Sequence, residues 1–338
     1  MRCTRLALCL GALLPVTLAF QPRETSLSFD PVVDETLTKT FEQQYTMTLE
    51  DVVVTIMDQE LELDGTPESV IESSERIVLI DTYGAVEDGR VARLERTFET
   101  LERERTSTNE GEEEFFEESS DLEGVVVAFR WEDGEYLSAF AEDFEDEDED
   151  LLEGLWFDAD LSGFLPDGEV EEGDTWEPDY EVWRQLNEPG GDLTFLDEEG
   201  ESTRDELDER LEENLEGTVE CEFTGIREED GMRVAVIEVT VETETEGTEV
   251  EDLTDDAQAD GAEVSSVTNS RTVSVETETE GELLWLIEEG RFLSFQGSGE
   301  AEITMLLELE MIPNDGETFL QTQELSFVGE LEVEVTFE

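Results

Sequence analysis

Asp158, Asp160 and Ser162 put side-chain oxygens at positions 1, 3 and 5 of a twelve-residue stretch that ends on Glu169. Gly163 stands at position 6 and Leu165 at position 8. That is the spacing of a calcium loop, in which a backbone carbonyl (here that of Phe164) serves at position 7 and a bidentate glutamate closes the shell. Two features oppose it. Pro166 falls at position 9, and residues 170–173 make a poor exiting helix. Ninety-seven Asp and Glu also make a chance match easy, and looser calcium binding by the acidic loops is the alternative.

The remaining chemistry is bounded by absences in the sequence. The chain has no histidine, which excludes His-dependent triads, imidazole zinc sites and the usual general base near neutral pH. Lys39 is the single lysine, so Schiff-base chemistry would rest on it alone, and no neighbour in sequence suggests a desolvated pocket. Of three cysteines, Cys3 and Cys9 lie near the N-terminus; Cys221 alternates with Val219 and Phe223 and reads as a buried, inert thiol on a strand. No glycine fingerprint for nucleotides is present. Carboxylate pairs of the glycosidase kind survive, yet ninety-seven candidates single out no pair. The expectation is therefore no enzyme and no cofactor, with a carboxylate-based hydrolase as a distant alternative.

The formal net charge is −79, from eighteen basic residues against ninety-seven acidic ones. Such a surface repels itself at low ionic strength. A Debye length of about 3 Å at 1 M salt would screen most of that repulsion, so the composition suits a salt-adapted, halotolerant protein. A GC-rich genome would equally favour Arg over Lys. Nucleic acids and anionic lipid surfaces are unsuitable partners because no basic stripe exists. Cationic partners and divalent metals are electrostatically welcome. The chain is not too polar to fold: hydrophobic residues make up 37% of it, with eighteen Phe and five Trp.

The elements that would position any site are mostly strands. Residues 1–19 read as a secretory signal peptide, with Arg2 and Arg5 before an apolar stretch and Ala19 at a cleavage position. The expected location is thus the periplasm, the cell surface or outside the cell. Residues 20–338 then form one mature β-rich domain, or two lobes, 20–160 and 161–338. Strands are expected at 40–49 and 52–63, a hairpin at 74–85 and 90–106 (the second arm also fitting a helix), and a hairpin at 124–131 and 135–141. Residues 109–120 and 142–150 read as acidic loops. Helices are expected at 144–157 and about 203–215, the latter from Leu207, Leu211 and Leu215 with Ser202 as cap.

A hairpin at 218–226 and 232–243, an acidic insert at 244–263, and three long strands at 264–287, 291–312 and 319–337 complete the chain. The last three alternate strictly. Leu293, Phe295, Ile303, Met305, Leu307 and Leu309 of one strand, and Leu325, Phe327, Leu331 and Val333 of the next, share one face with Val273, Val275, Leu283 and Trp285. Strands this long, with Gly297 and Gly299 mid-strand, imply bending. The fold class is mainly β: a long-stranded, curved antiparallel meander, a half-barrel or an open barrel, with about two short helices.

Leu165-Pro166, Val170, Gly173-Asp174 and Trp176 spell LP-x3-V-x2-GD-x-W. This resembles a segment of uncharacterised exported β-rich bacterial proteins of the planctomycete type. The run 281–293, with Trp285 before an acidic glycine turn, is similar to their C-terminal meander. The resemblance implies an exported β-rich fold with Leu165, Val170 and Trp176 as packing residues and Gly173-Asp174 as a turn; it brings no catalytic residues. The expected long curved sheet is also similar in architecture to periplasmic lipoprotein-carrier folds, whose concave face holds acyl chains. The resulting expectation is a non-enzymatic exported protein that binds an apolar ligand or a partner on a curved sheet, with Trp285, Phe295, Met305 and Phe327 as candidate lining residues. A calcium-dependent structural or envelope protein is the alternative.

Overall fold

The computed structural model describes residues 24–338 except 58, 62, 64, 88, 142–143, 145–147, 158–159, 198, 201, 205, 230, 255–258, 260–263, 315 and 317. The signal peptide expected at 1–19 lies outside the described residues.

The first half supplies β1 (Thr25–Ser26), β2 (Thr36–Ile56), β3 (Gln59–Leu61), β4 (Ser69–Glu87), β5 (Arg90–Asn109), β6 (Glu112–Ser120), β7 (Val126–Glu132) and β8 (Glu135–Phe140). A connecting segment carries β9 (Glu169–Val170), β10 (Thr175–Trp176), α1 (Glu181–Asn187), β11 (Phe195–Leu196) and α2 (Glu206–Glu213). The meander β12 (Glu216–Glu229), β13 (Met232–Asp252), β14 (Val264–Leu286), β15 (Arg291–Pro313) and β16 (Phe319–Phe337) ends the chain.

One antiparallel sheet runs β12-β13-β14-β15-β16-β2-β4-β5-β6, and it does not close into a barrel. β16 pairs with β2 from Gln321↔Ile56 to Phe337↔Lys39, so the two halves of the chain share one sheet. The connecting segment touches both edges, β10 pairing with β12 and β11 with β6. Its Leu161, Phe164, Trp183, Leu186 and Leu193 enter the main core, where they meet Phe41, Phe98, Ile237, Trp285 and Phe295 of the sheet. The segment therefore fills one end of the curved sheet.

Sequence periodicity foresaw the long strands, and five details differ. Of residues 109–120, expected as an acidic loop, 112–120 form β6, because Glu118 and Phe116 pair with Arg103 and Arg105 of β5. The expected acidic insert at 244–263 begins as strand, since β13 runs on to Asp252 beside β14. Of the helix expected at 144–157, the described residues form a 3-10 turn at Glu149–Leu152, and Gly154 at φ 74° turns the chain away. A short helix, α1, was not expected. Leu293 also leaves its expected face: a bulge opposite Leu284 and Trp285 turns it onto a small outer cluster with Val234, Val236 and Leu286.

Phe295 shows why the bend needs glycine. Its ring lies flat over the sheet, and a Cβ at Gly281 would come within 2.4 Å of it, one at Gly297 within 2.7 Å. Both glycines sit opposite each other on β14 and β15, so the ring occupies the space two side chains would take.

The outer face carries the charge. Glu216, Glu244, Glu276 and Glu302 stand directly across from one another on β12 to β15. Next to them Glu242, Glu278, Glu300 and Glu330 do the same on β13 to β16. All eight are exposed. Like charges in direct register oppose pairing, so the apolar inner face must outweigh them.

Candidate functional site

The inner face is banded along the strands. Val239, Gly281, Gly297, Val333, Gln43, Glu75, Arg103 and Glu118 lie in one row across β13 to β6. On one side of that row the face is packed shut. Trp285 and Phe295, two of the expected lining residues, are fully buried there, and Trp183 of α1 meets Phe295 edge-on at 5.9 Å. They are core residues.

The row itself, and the next one through Leu331, Tyr45, Ser73 and Arg105, form a polar belt. Across from it stands the connecting segment, held by Gly190 and Gly191 at φ 90° and 97°. A Cβ at Gly191 would strike the Gly154 carbonyl at 2.2 Å, so only glycine lets this loop close against residues 154–156. Between belt and loop lies a cleft of about 830 Å³ lined by Arg103, Arg105, Arg184 and Arg204. Most of this charge is matched internally. Arg103 donates to Glu75 at 2.5 Å and to Glu118 at 3.4 Å. Arg184 pairs with Glu188 at 3.1 Å and lies over the Trp156 ring. Arg204 bridges Asp192 and Glu212. Burial, and then the Glu212 charge, raise the pKa of Glu188, while Arg184 opposes them. Arg105 differs: its guanidinium sits 4.9 Å over the Phe116 ring, and among the described residues it has no carboxylate partner.

Beyond the belt the face turns apolar. Val275, Ile303, Phe327 and Leu49 make one row, and Val273, Met305, Leu325 and Val52 the next. Ile303, Met305, Leu325 and Phe327 are partly exposed and belong to neither buried apolar cluster. Helix α2 leans on this end at β13, with Leu207 and Leu211 over Gly247. Met305 and Phe327 of the expected lining thus sit on a partly exposed terrace, unlike the fully buried Trp285 and Phe295.

On the packed side, beyond the buried row of Phe41, Ile77 and Leu101, is a group that sequence reading missed. Lys39 Nζ lies 2.6 Å from Asp81 Oδ2, and Arg96 clasps Asp81 through Nε and Nη2 at 2.8 Å each. All three side chains are essentially inaccessible. Lys39 is therefore desolvated, contrary to expectation, and it is tied to a carboxylate. Burial alone would raise the Asp81 pKa; Arg96 and Lys39 outweigh it and hold the value at about 2.

The calcium-loop candidates serve local structure. Asp158 lies outside the described residues. Asp160 accepts from the Ser162 amide at 2.8 Å and starts a 3-10 turn, Ser162–Phe164. The Phe164 carbonyl accepts the Trp176 indole N–H at 2.8 Å, and Glu169 is an exposed residue of β9 paired with Ser26. Among the described residues no three Cys, Asp or Glu are grouped to hold a metal ion. In the same segment Val170 is buried, Leu165 and Trp176 pack on the core, and Asp174 accepts from the Glu171 amide beside Gly173 at φ 92°. Cys221 is buried among Val219 and Phe223, and burial pushes its thiol up to about 12.

Among the described residues no helix is long and apolar enough to cross a membrane. The sequence matches no known protein family and no curated protein. Two solved structures align with it at low similarity. One is described as "Asymmetric conductivity of engineered proteins", with 8% identity, 89% of this chain and 100% of that one covered, and a TM-score of 0.18. The other is a mutant of Rh. blastica porin, with 8% identity, 88% and 99% covered, and a TM-score of 0.11. Overlaps this slight leave the reading to rest on the chain's own geometry.

Proposed function

We propose that this chain is an exported, non-enzymatic binding protein whose ligand lies on the inner face of the curved sheet, on the terrace of Ile303, Met305, Leu325 and Phe327. One observation supports the reading above others. This part of the inner face is apolar and partly exposed, while the adjoining part of the same face is packed shut by α1 and its flanking loops. Partial exposure leaves unrealised a part of the about 1.5–3 kcal/mol that full burial of a large apolar side chain contributes, which a sheet needing only a core would not forgo. Contiguous apolar patches of this kind mark binding surfaces. The absence of histidine from the sequence suits a binding role better than catalysis.

A photoreactive apolar probe tests it. Irradiation of the folded protein with a diazirine-bearing alkyl chain should label peptides of β15 and β16 around Met305 and Phe327. Labelling spread evenly over the exposed apolar residues, such as Val32 and Val250, would refute the terrace as the site.

A further inference from the structure

We infer that the free edge of β6 takes up an extended basic segment of another protein as an added strand. This surface is distinct from the terrace, and the inference stands or falls independently of the apolar-ligand reading.

Three observations carry it. First, the edge is open. On one side β6 pairs with β5 from Glu102↔Ser119 to Asn109↔Glu112. On the other, β11 covers Ser119 and Ser120, and among the described residues no strand lies beyond 112–118. Alternate N–H and C=O groups of that stretch therefore face outward. The far end of the sheet is finished differently. There β13 runs on past its pairing with β12, and α2 caps the overhang: Asn214 donates to the Glu246 carbonyl at 2.8 Å and Arg210 to the Thr248 carbonyl at 2.6 Å. Second, the open stretch displays both apolar and acidic groups. Residues 112–117 are all exposed, Phe115 by 55% and Phe116 by 39%. Strand alternation sends Glu112, Glu114 and Phe116 to one face and Glu113, Phe115 and Glu117 to the other, so each face offers two carboxylates and one ring. Edge charges alone would guard a sheet against sticking, and wet phenylalanines on the same edge do the opposite.

Third, the charges choose the occupant. Two β6 strands joined edge to edge about their phenylalanines would set Glu114 against Glu117 and Glu113 against Glu118, and like charges in direct opposition destabilise a ladder. A second copy is therefore disfavoured. A basic segment with a central apolar pair turns each of those oppositions into an attraction. Main-chain hydrogen bonds then supply the grip, and the alternating side chains supply the selection.

The probe is the end-blocked hexapeptide Lys-Arg-Val-Val-Arg-Lys, which reads alike in both directions and sets its valines against Phe115 and Phe116. It is titrated at about 0.15 M NaCl, where the Debye length is about 8 Å. A second peptide carries N-methyl groups on the four central residues; it keeps every charge and side chain but offers a neighbouring strand no N–H there. Phe115→Asp is compared with Val250→Asp, which adds the same charge at another exposed apolar position, on β13. We expect the parent peptide to bind and to slow amide exchange within 112–118. N-methylation and Phe115→Asp should each weaken binding by about tenfold or more, and Val250→Asp should leave it unchanged. Equal binding of the two peptides would show attraction by the protein's field alone and overturn strand addition, and this arm needs no variant to fold. Equal losses from Phe115→Asp and Val250→Asp, slowed exchange elsewhere than 112–118, or no binding of the parent peptide would overturn the assignment to β6. Self-association of the wild type that Phe115→Asp abolishes would give the edge to a second copy and overturn the basic partner.

Discussion

Lys39, the single lysine of the chain, points its ammonium at Asp81 from the neighbouring strand, 2.6 Å away and out of reach of water. Arg96 holds the other side of the same carboxylate. The trio sits under the cleft, where a Cβ at Gly190 would come within 3.3 Å of Arg96 Nη1. It joins β2, β4 and β5 inside the packed end of the sheet, with the buried row of Phe41, Ile77 and Leu101 between it and the polar belt.

Removing the shared anion should be severe. Asp81→Ala leaves two buried cations facing each other, and breaking a buried pair in this way costs about 3–5 kcal/mol. Lys39→Met leaves the Arg96–Asp81 pair intact and should cost far less. Urea melts of the two variants in molar salt give the comparison; equal losses would contradict this ranking.

The same carboxylate sets an acid limb. Its folded pKa, about 2, lies below the ordinary value of 3.8. The stability it contributes is therefore fully present above 3.8 and is lost as pH falls through about 2. In molar salt, chemical stability should hold to about pH 4 and decline below it. A decline that begins near pH 6 would assign the acid limb to other groups.

The outer face should respond to salt in the opposite sense from an ordinary ion-paired surface. Glu242, Glu278, Glu300 and Glu330 repel across the strands, and each opposed pair costs roughly 0.2–1 kcal/mol. Glu278→Gln should raise the melting temperature in dilute buffer, and the gain should shrink toward zero in 1 M NaCl. The wild-type protein should itself melt higher in salt. A gain that persists at 1 M would show a packing effect instead of repulsion.

Gly281 is expected to tolerate no side chain. Gly281→Ala puts a methyl 2.4 Å from the Phe295 ring, and overpacking of this kind costs about 1–3 kcal/mol. Adding Phe295→Leu to the alanine variant should recover part of the loss. No recovery would mean that the glycine is needed for backbone shape alone.

What could be read in advance followed the physics of each feature. β14, β15 and β16 were legible because alternation survives any tertiary context: a slip of one residue would turn Ile303, Met305 and Leu307 into water. Leu293 escaped because a bulge, set by the partner strand, reverses the parity. β6 was illegible because its glutamates argue for a loop, and only pairing with Arg103 and Arg105 makes it a strand. The division of one apolar face into a packed half and an open terrace was illegible too. Phe295 and Phe327 look alike in their own strands, and what separates them is Trp183, brought over Phe295 by a helix that no periodic pattern announced. The Lys39–Asp81–Arg96 trio shows the same limit, since its members meet only through register.

The most direct measurement is the titration of the folded protein with a neutral apolar fluorophore in 1 M NaCl, for wild type and for Phe327→Asp. The account predicts saturable enhancement with one site per chain well below the melting temperature, weakened at least tenfold by Phe327→Asp while the melting temperature stays put. Enhancement that arises only on unfolding, or that Phe327→Asp leaves unchanged, would contradict it.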